Sequence, residues 1–335
     1  MTTLETAQGY AAGMGGLPFD LPASVRIQEV GPRDGFQLEP AVIGTADKIN
    51  IIDALAATGI PALQLTSFVR PDAVPQLSDA ADVMAGCTKV PGVEYSVLVP
   101  NLKGAQRAME CDADVWELML SSTDAHSIAN ANRPTEAAFE LLRPAIELGL
   151  ANDVRLVGAM ATSLGCPFEG RTGFDRVAWV TGLYADAGVG HVTLADTAGL
   201  ADPAYVYDMC RRLADAFPQT TITLHLHNTR GLGMANVLAG LAAGVTHYDS
   251  SIGGLGGCPY APGATGNIAT EELVHLLSLL GVDTGVDLDA LIRIARGPVR
   301  AAVGHPLESS FGKADPSWVL HDPPAQQVLP QPAGT

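Results

Sequence analysis

The chain has 335 residues, 47% of them hydrophobic and only 16% charged, enough apolar material for one large α/β domain or two smaller ones and too few charges for extensive disorder. Its 36 acidic residues outnumber 19 basic ones, and the resulting net charge of −17 argues against a nucleic-acid or anionic-membrane surface. The five cysteines, Cys87, Cys111, Cys166, Cys210 and Cys258, are odd in number, scattered and never in a C-x-x-C pair, the usage expected of a reduced, cytoplasmic protein.

Residues 1–24 read as an arm or cap, since the first 22 carry no Lys or Arg and so match neither a signal nor a transit peptide. From there the chain alternates strand and helix. Strand patterns fall at 25–30, 62–66, 93–99, 115–120, 154–160, 191–195, around 222–227 and at 247–250. Thr45 is the expected N-cap of the first helix, whose apolar stripe is Ile49, Ile52, Leu55 and Ala56 and whose stop is Gly59. Further helices are expected at 74–85, 102–110, 135–148, 174–187, 203–217, 234–243 and 270–280, with one more at 288–299. Eight consecutive strand–helix units imply a parallel sheet, and eight closes a (β/α)8 TIM barrel with additional C-terminal helices. An open doubly wound sheet is the alternative, but it gathers ligands at one switch point, whereas here polar loops follow six of the eight strands. The barrel should span 25–300, and 301–335 should form a partly disordered tail rich in Pro and Gln. No apolar run is long enough to cross a membrane.

The seventh strand runs into Leu224-His225-Leu226-His227-Asn228-Thr229-Arg230-Gly231. A spacing of two puts both imidazoles on one face of the strand. Asp34 follows the first strand, and Asn267 follows the eighth across a glycine-rich run. Taken singly, Asp34 reads as a turn residue, Asn267 as a helix cap and the histidines as residues of a sheet edge. Together they supply two nitrogens and two oxygens at one barrel rim, a mixed set suited to a divalent ion, Mg²⁺ or Mn²⁺, rather than to a closed structural zinc site.

Val30-Gly31-Pro32-Arg33-Asp34-Gly35-Phe36-Gln37 resembles the signature of the 3-hydroxy-3-methylglutaryl-CoA lyases, within a wider barrel family of metal-dependent lyases and Claisen-type synthases. Thr66-Ser67-Phe68-Val69, Leu164-Gly165-Cys166-Pro167-Phe168-Glu169-Gly170 and Asp196-Thr197 resemble further blocks of that family. The run from Gly253 to Asn267, with Cys258-Pro259-Tyr260 at its centre, is similar to the cysteine loop of the lyase subgroup, which the synthases lack. The resemblance implies that Asp34, His225, His227 and Asn267 hold the metal and that Arg33 stabilises an enolate oxygen. It implies that Cys258 delivers a proton to carbon and that Asp196 helps orient the substrate. Gln37, Gln64, Ser67 and Arg230 fall on the implied substrate-binding side.

The activity so implied is retro-Claisen cleavage of a 3-hydroxy-3-substituted acyl-CoA, 3-hydroxy-3-methylglutaryl-CoA or a close analogue, to acetyl-CoA and a 3-oxo acid. Asp34 is a candidate base for the hydroxyl proton. Citramalyl-CoA cleavage, a synthase running the condensation direction and a barrel that binds a CoA ester without turnover are the alternatives. The expected partner is the small acyl-CoA, with no nucleic acid and no membrane, in a homo-oligomer. Four positions depart from the family pattern: Gln64 and Asp124 stand where a Glu is usual, Asn228 where an Asp is, and Arg230 where a Tyr is. Gln64 and Arg230 shift the local potential in the same, positive direction, which predicts an altered substrate preference.

Overall fold

The computed structural model describes residues 17–257 and 266–314. Eight strands, β1 (Arg26–Glu29), β2 (Ala62–Ser67), β3 (Glu94–Val99), β4 (Val115–Ser121), β5 (Arg155–Ala161), β6 (His191–Asp196), β7 (Thr221–Leu226) and β8 (His247–Ser250), close a barrel in sequence order. Every pairing is parallel, including β1 with β8, where Arg26 to Glu29 run alongside His247 to Ser250. Strand alternation divides the side chains between two environments. Ile27, Leu63, Tyr95, Val97, Trp116, Leu118, Val192, Leu194, Leu224 and Tyr248 are buried in one apolar cluster. The inward residues are unusually polar. Where such barrels generally stack branched aliphatic side chains, the lower interior here is lined by Gln28, Glu117, His191, Thr193, Thr223 and Asp249.

The surrounding helices are α1 (Thr45–Ala56), α2 (Ala80–Gly86), α3 (Leu102–Glu110), α4 (Asp124–Ala131), α5 (Thr135–Leu150), α6 (Phe174–Asp186), α7 (Pro203–Ala216), α8 (Gly233–Ala242), α9 (Thr270–Leu279), α10 (Leu288–Ile294) and α11 (Arg300–Val303). Three local expectations need correction. Thr45 is already helical; Gly44 is the N-cap residue, and the Thr45 hydroxyl donates instead to Asp79 at 2.7 Å. The segment expected as one helix from 74 is split, because Pro75 opens only a short 3₁₀ turn, Pro75–Leu77, before α2 begins. The stretch after β4, read as loop, contains α4, which Asn132 ends with a left-handed φ of 57°.

Past α10 the chain makes a wide turn at Ala295–Val299, around Pro298, and continues through α11. Leu307, Ser309 and Phe311 are buried, and Ser309 N–H donates to Gly253 O, so residues up to 314 pack against the loop after β8. The arm expected at the N-terminus and the tail after 314 lie largely outside the described residues; Ser24 and Val25 pair with Asp283 beneath the barrel. No helix among the described residues is long and apolar enough to cross a membrane.

Candidate active site

After β1 the chain closes one wide turn, Gly31–Gly35, in which the N–H groups of Arg33, Asp34 and Gly35 all point to Val30 O. Two glycines make this possible by close approach. A Cβ on Gly31 would lie 2.6 Å from Glu29 Oε1, and one on Gly35 would lie 2.9 Å from Leu255 Cβ. The turn carries Arg33 and Asp34 to the C-terminal mouth of the barrel. Arg33 is buried there, its Nη1 donating to Asp34 Oδ1 at 2.5 Å and its Nε to Gln64 Oε1.

The two β7 histidines meet this turn. His225 Nε2 lies 3.2 Å from His227 Nε2 and 3.8 Å from Asp34 Oδ2, while His225 Nδ1 lies 3.2 Å from Asp249 Oδ2 on β8. Asn267, bridged to His227 through the backbone, donates from Nδ2 to Asp34 Oδ2 at 2.7 Å and to Leu255 O at 3.0 Å. It is not the cap of α9, whose N-cap residue is Ala269.

These contacts fit a cation. Asp249 is placed to accept a proton from His225 Nδ1, the tautomer in which His225 Nε2 would be free to bind a metal beside the second ring nitrogen. Asn267 Oδ1 and His227 Nδ1 are buried with no hydrogen-bond partner among the described residues. One ligand atom each from Asp34, His225 and His227 falls within 4.8 Å of the others. Burial would raise the Asp34 carboxyl, but Arg33, then His225 and His227 and the Asn267 amide, outweigh it and hold it at about 2. His227 is driven down to about 4 by burial and by His225, which keeps its ring neutral and available as a ligand. For His225, burial is overcome by the Asp249 hydrogen bond and the Asp34 charge, and its affinity for a proton rises.

The chain is similar to known proteins over most of its length. The HMGL-like family model matches residues 24–297. Mouse mitochondrial hydroxymethylglutaryl-CoA lyase is 40% identical over 272 residues, which cover 81% of this chain and 84% of that protein. The (R)-citramalyl-CoA lyase of Chloroflexus aurantiacus is 39% identical over 309 residues, covering 88% of this chain and 96% of its own. The chain belongs to the HMGL-like family. It is accordingly an enzyme, a carbon–carbon lyase. An Acinetobacter baumannii HMG-CoA lyase solved with coenzyme A and 3-methylmalate superposes with a TM-score of 0.85 at 40% identity, covering 90% of this chain and 98% of that one.

Within this HMGL-like site the other expected residues are placed unevenly. Asp196, at the end of β6, is buried and accepts N–H groups from Leu200 and Ala201 at 2.7 and 3.2 Å; burial prevails over these and over Arg230 and raises its carboxyl to about 6. Arg230 anchors Nη1 on Ala198 O and Gly199 O, each at 2.8 Å, and so stands over the Asp196 loop. Gln64 joins the cluster through Arg33. Ser67 does not: its hydroxyl is engaged with the backbone, accepting from Val69 N–H and reaching Leu98 O. Gln37 is half-buried and makes no side-chain hydrogen bond among the described residues. Cys258 lies outside the described residues.

Two of the departures have structural jobs. Asn228 Oδ1 accepts Gly233 N–H at the start of α8, and Asp124 Oδ1 accepts from Thr135 N–H and Arg176 Nη2, tying α4 to α5 and α6. Sequence reasoning missed Asp249, Glu117 and Glu29. A charged residue in the interior of a barrel strand, two places after His247 in the case of Asp249, was the available signal. Glu29 is buried and accepts N–H groups from Gly31 and Ile252 and the Thr270 hydroxyl, binding the β1 turn to the β8 loop and to α9.

Proposed function

We propose that this protein cleaves the C2–C3 bond of a 3-hydroxy-3-substituted acyl-CoA, 3-hydroxy-3-methylglutaryl-CoA or a close analogue, to acetyl-CoA and a 3-oxo acid. The observation that carries this reading is the joining of Arg33 to Asp34, His225, His227 and Asn267 in one buried cluster at the barrel mouth. Asp34, His225, His227 and Asn267 hold a divalent ion, Mg²⁺ or Mn²⁺ by their oxygen and imidazole donors. When bound, that ion lowers the pKa of the substrate's 3-hydroxyl.

A base must take the hydroxyl proton. Asp34, in the ligand cluster at the barrel mouth, is the candidate acceptor, directly or through water, and Asp196, buried at the end of β6, helps orient the substrate. The C2–C3 electron pair leaves as the enolate of the acetyl thioester. Arg33 is fixed by Gln64 and Asp34, so it meets the developing oxygen charge without reorganising. Cys258, on the glycine-rich loop, protonates the enolate carbon. Arg230 supplies a cation at the mouth and favours an acyl substituent that carries a carboxylate. It also keeps citramalyl-CoA among the substrates to try, in keeping with the Chloroflexus relative's name. The chain is assigned to a reducing, cytoplasmic compartment because Cys87, Cys111, Cys166 and Cys210 are free thiols, and it is assigned to a homo-oligomer.

The test is incubation with Mg²⁺ or Mn²⁺ and a panel of 3-hydroxyacyl-CoAs, followed by mass spectrometry of the products. Acetyl-CoA with an oxo acid, a 3-oxo acid from the methylglutaryl thioester or a 2-oxo acid from citramalyl-CoA, is the expected outcome. Condensation in a parallel incubation of acetyl-CoA with an oxo acid, without cleavage of the panel, would assign the synthase reaction, and no conversion of any thioester would leave a binding barrel.

A further inference from the structure

We propose that Glu117, inside the barrel on β4, is a positioning residue that orients His225 through a continuous polar chain. Glu117 Oε1 accepts from Gln28 Nε2 at 2.9 Å, the same amide nitrogen reaches Asp249 Oδ1 at 3.2 Å, and Asp249 Oδ2 meets His225 Nδ1 at 3.2 Å. The two hydrogens of one amide thus bridge two carboxylates. Ser96 fixes that amide's orientation, its Oγ lying 2.8 Å from Glu117 Oε1 and 3.1 Å from Gln28 Oε1.

Glu117, Ser96 and Asp249 are buried. Burial and the like charge of Asp249 raise the pKa of Glu117, against the Arg33 charge. A polar group in such a place is costly unless it is hydrogen-bonded, and Gln28 and Ser96 supply those bonds to Glu117. The Gln28 amide is thereby held between two carboxylates, and the Asp249 carboxylate that meets His225 is held with it.

The turnover readout rests on the lyase reading above; the metal readout does not. Three variants decide the matter: Glu117→Gln, Asp249→Asn and the two combined. The measurements are kcat and KM with 3-hydroxy-3-methylglutaryl-CoA, the Mn²⁺ dissociation constant from the electron paramagnetic resonance of free Mn²⁺, and a melting curve for the fold. Glu117→Gln is expected to lower kcat about tenfold or more, with KM nearly unchanged, and to weaken Mn²⁺ binding about tenfold, the scale of lost support behind a metal ligand. Asp249→Asn alters the group that meets His225 Nδ1 and is expected to weaken both quantities at least as much. Because Glu117 acts through Asp249, the double variant should match Asp249→Asn within about threefold, a coupling that independent sites do not show. Losses that multiply in the double variant overturn the proposal, as do an unchanged kcat and Mn²⁺ affinity in Glu117→Gln. If Glu117→Gln does not fold, Gln28→Leu cuts the same chain and is required to weaken Mn²⁺ binding about tenfold, and an unchanged affinity there overturns the proposal. If the natural protein cleaves no acyl-CoA, the lyase reading falls and the Mn²⁺ affinities alone decide the role of Glu117.

Discussion

Substituting Gly256 by Ala should damage the metal site without touching a ligand. Gly256 has φ of +117°, and a Cβ built there lies 2.5 Å from Asn267 Nδ2 and 3.3 Å from Asp34 Oδ2. The backbone conformation alone costs an L-residue about 1–3 kcal/mol. The larger effect on function comes from Asn267, which must swing away and give up its 2.7 Å bond to Asp34. A hydrogen bond to a charged group contributes about 1.5–3 kcal/mol. Losing most of it, together with the displaced amide oxygen, predicts Mn²⁺ affinity about 10- to 100-fold weaker, since 1.4 kcal/mol is a factor of ten. Gly244→Ala is the control. That glycine also has positive φ, +89°, but a Cβ there meets nothing within 4 Å. Calorimetric titration of chelator-stripped protein with Mn²⁺ should show the loss in Gly256→Ala and not in Gly244→Ala, although both melt at lower temperature. Equal affinities in the two variants, or native affinity in a folded Gly256→Ala protein, would refute the steric reasoning.

Cys258→Ser is expected to lower turnover about 100-fold or more, the upper scale of a positioned acid or base, with a much smaller change in substrate affinity; unchanged turnover in a folded variant removes Cys258 from the mechanism. Burial raises Glu29 from its ordinary 4.5 to about 8, so the folded chain keeps a proton that the unfolded chain has released between those values. The stability from this group is complete below about 4.5 and is lost as pH rises to about 8, by up to about 1.4 kcal/mol per pH unit. Urea unfolding at pH 5 and pH 8 should therefore show a smaller decline for Glu29→Gln than for the natural protein, and parallel declines would contradict it. Arg230→Tyr should change the ranking of kcat/KM between methylglutaryl-CoA and citramalyl-CoA; an unchanged ranking would mean that Arg230 serves only to anchor the Ala198–Gly199 backbone.

The fold and the clustering of Asp34, His225 and His227 were legible because each rests on local periodicity. Spacing by two set His225 and His227 on one face, and eight strand–helix units with polar loops after six strands favoured closure over an open sheet. Asp34 and Asn267 lie far apart in the chain, but each follows a strand, and strand ends converge at one mouth. Asp249 and Glu117 were not legible in this way. Whether a strand carboxylate points into the barrel or toward the helices depends on the register of pairing, and their meaning depends on Gln28, which meets both from a third strand. Ser67 shows the reverse case: it lies in a recognisable block at a strand end, yet its hydroxyl turns to the backbone. The helix 124–131 was hidden for a local reason, since its stop is a left-handed asparagine rather than a glycine.

The most direct measurement is acetyl-CoA release from 3-hydroxy-3-methylglutaryl-CoA by protein stripped with chelator, before and after Mg²⁺ or Mn²⁺ is restored, in the natural protein and in His225→Ala and Asp34→Ala. Release should vanish on stripping and return with metal in the natural protein, and it should stay absent in both variants, whose metal affinity falls with the lost ligand. Full release in excess chelator, or metal-restored release in either variant, contradicts a lyase whose metal is held by Asp34 and His225.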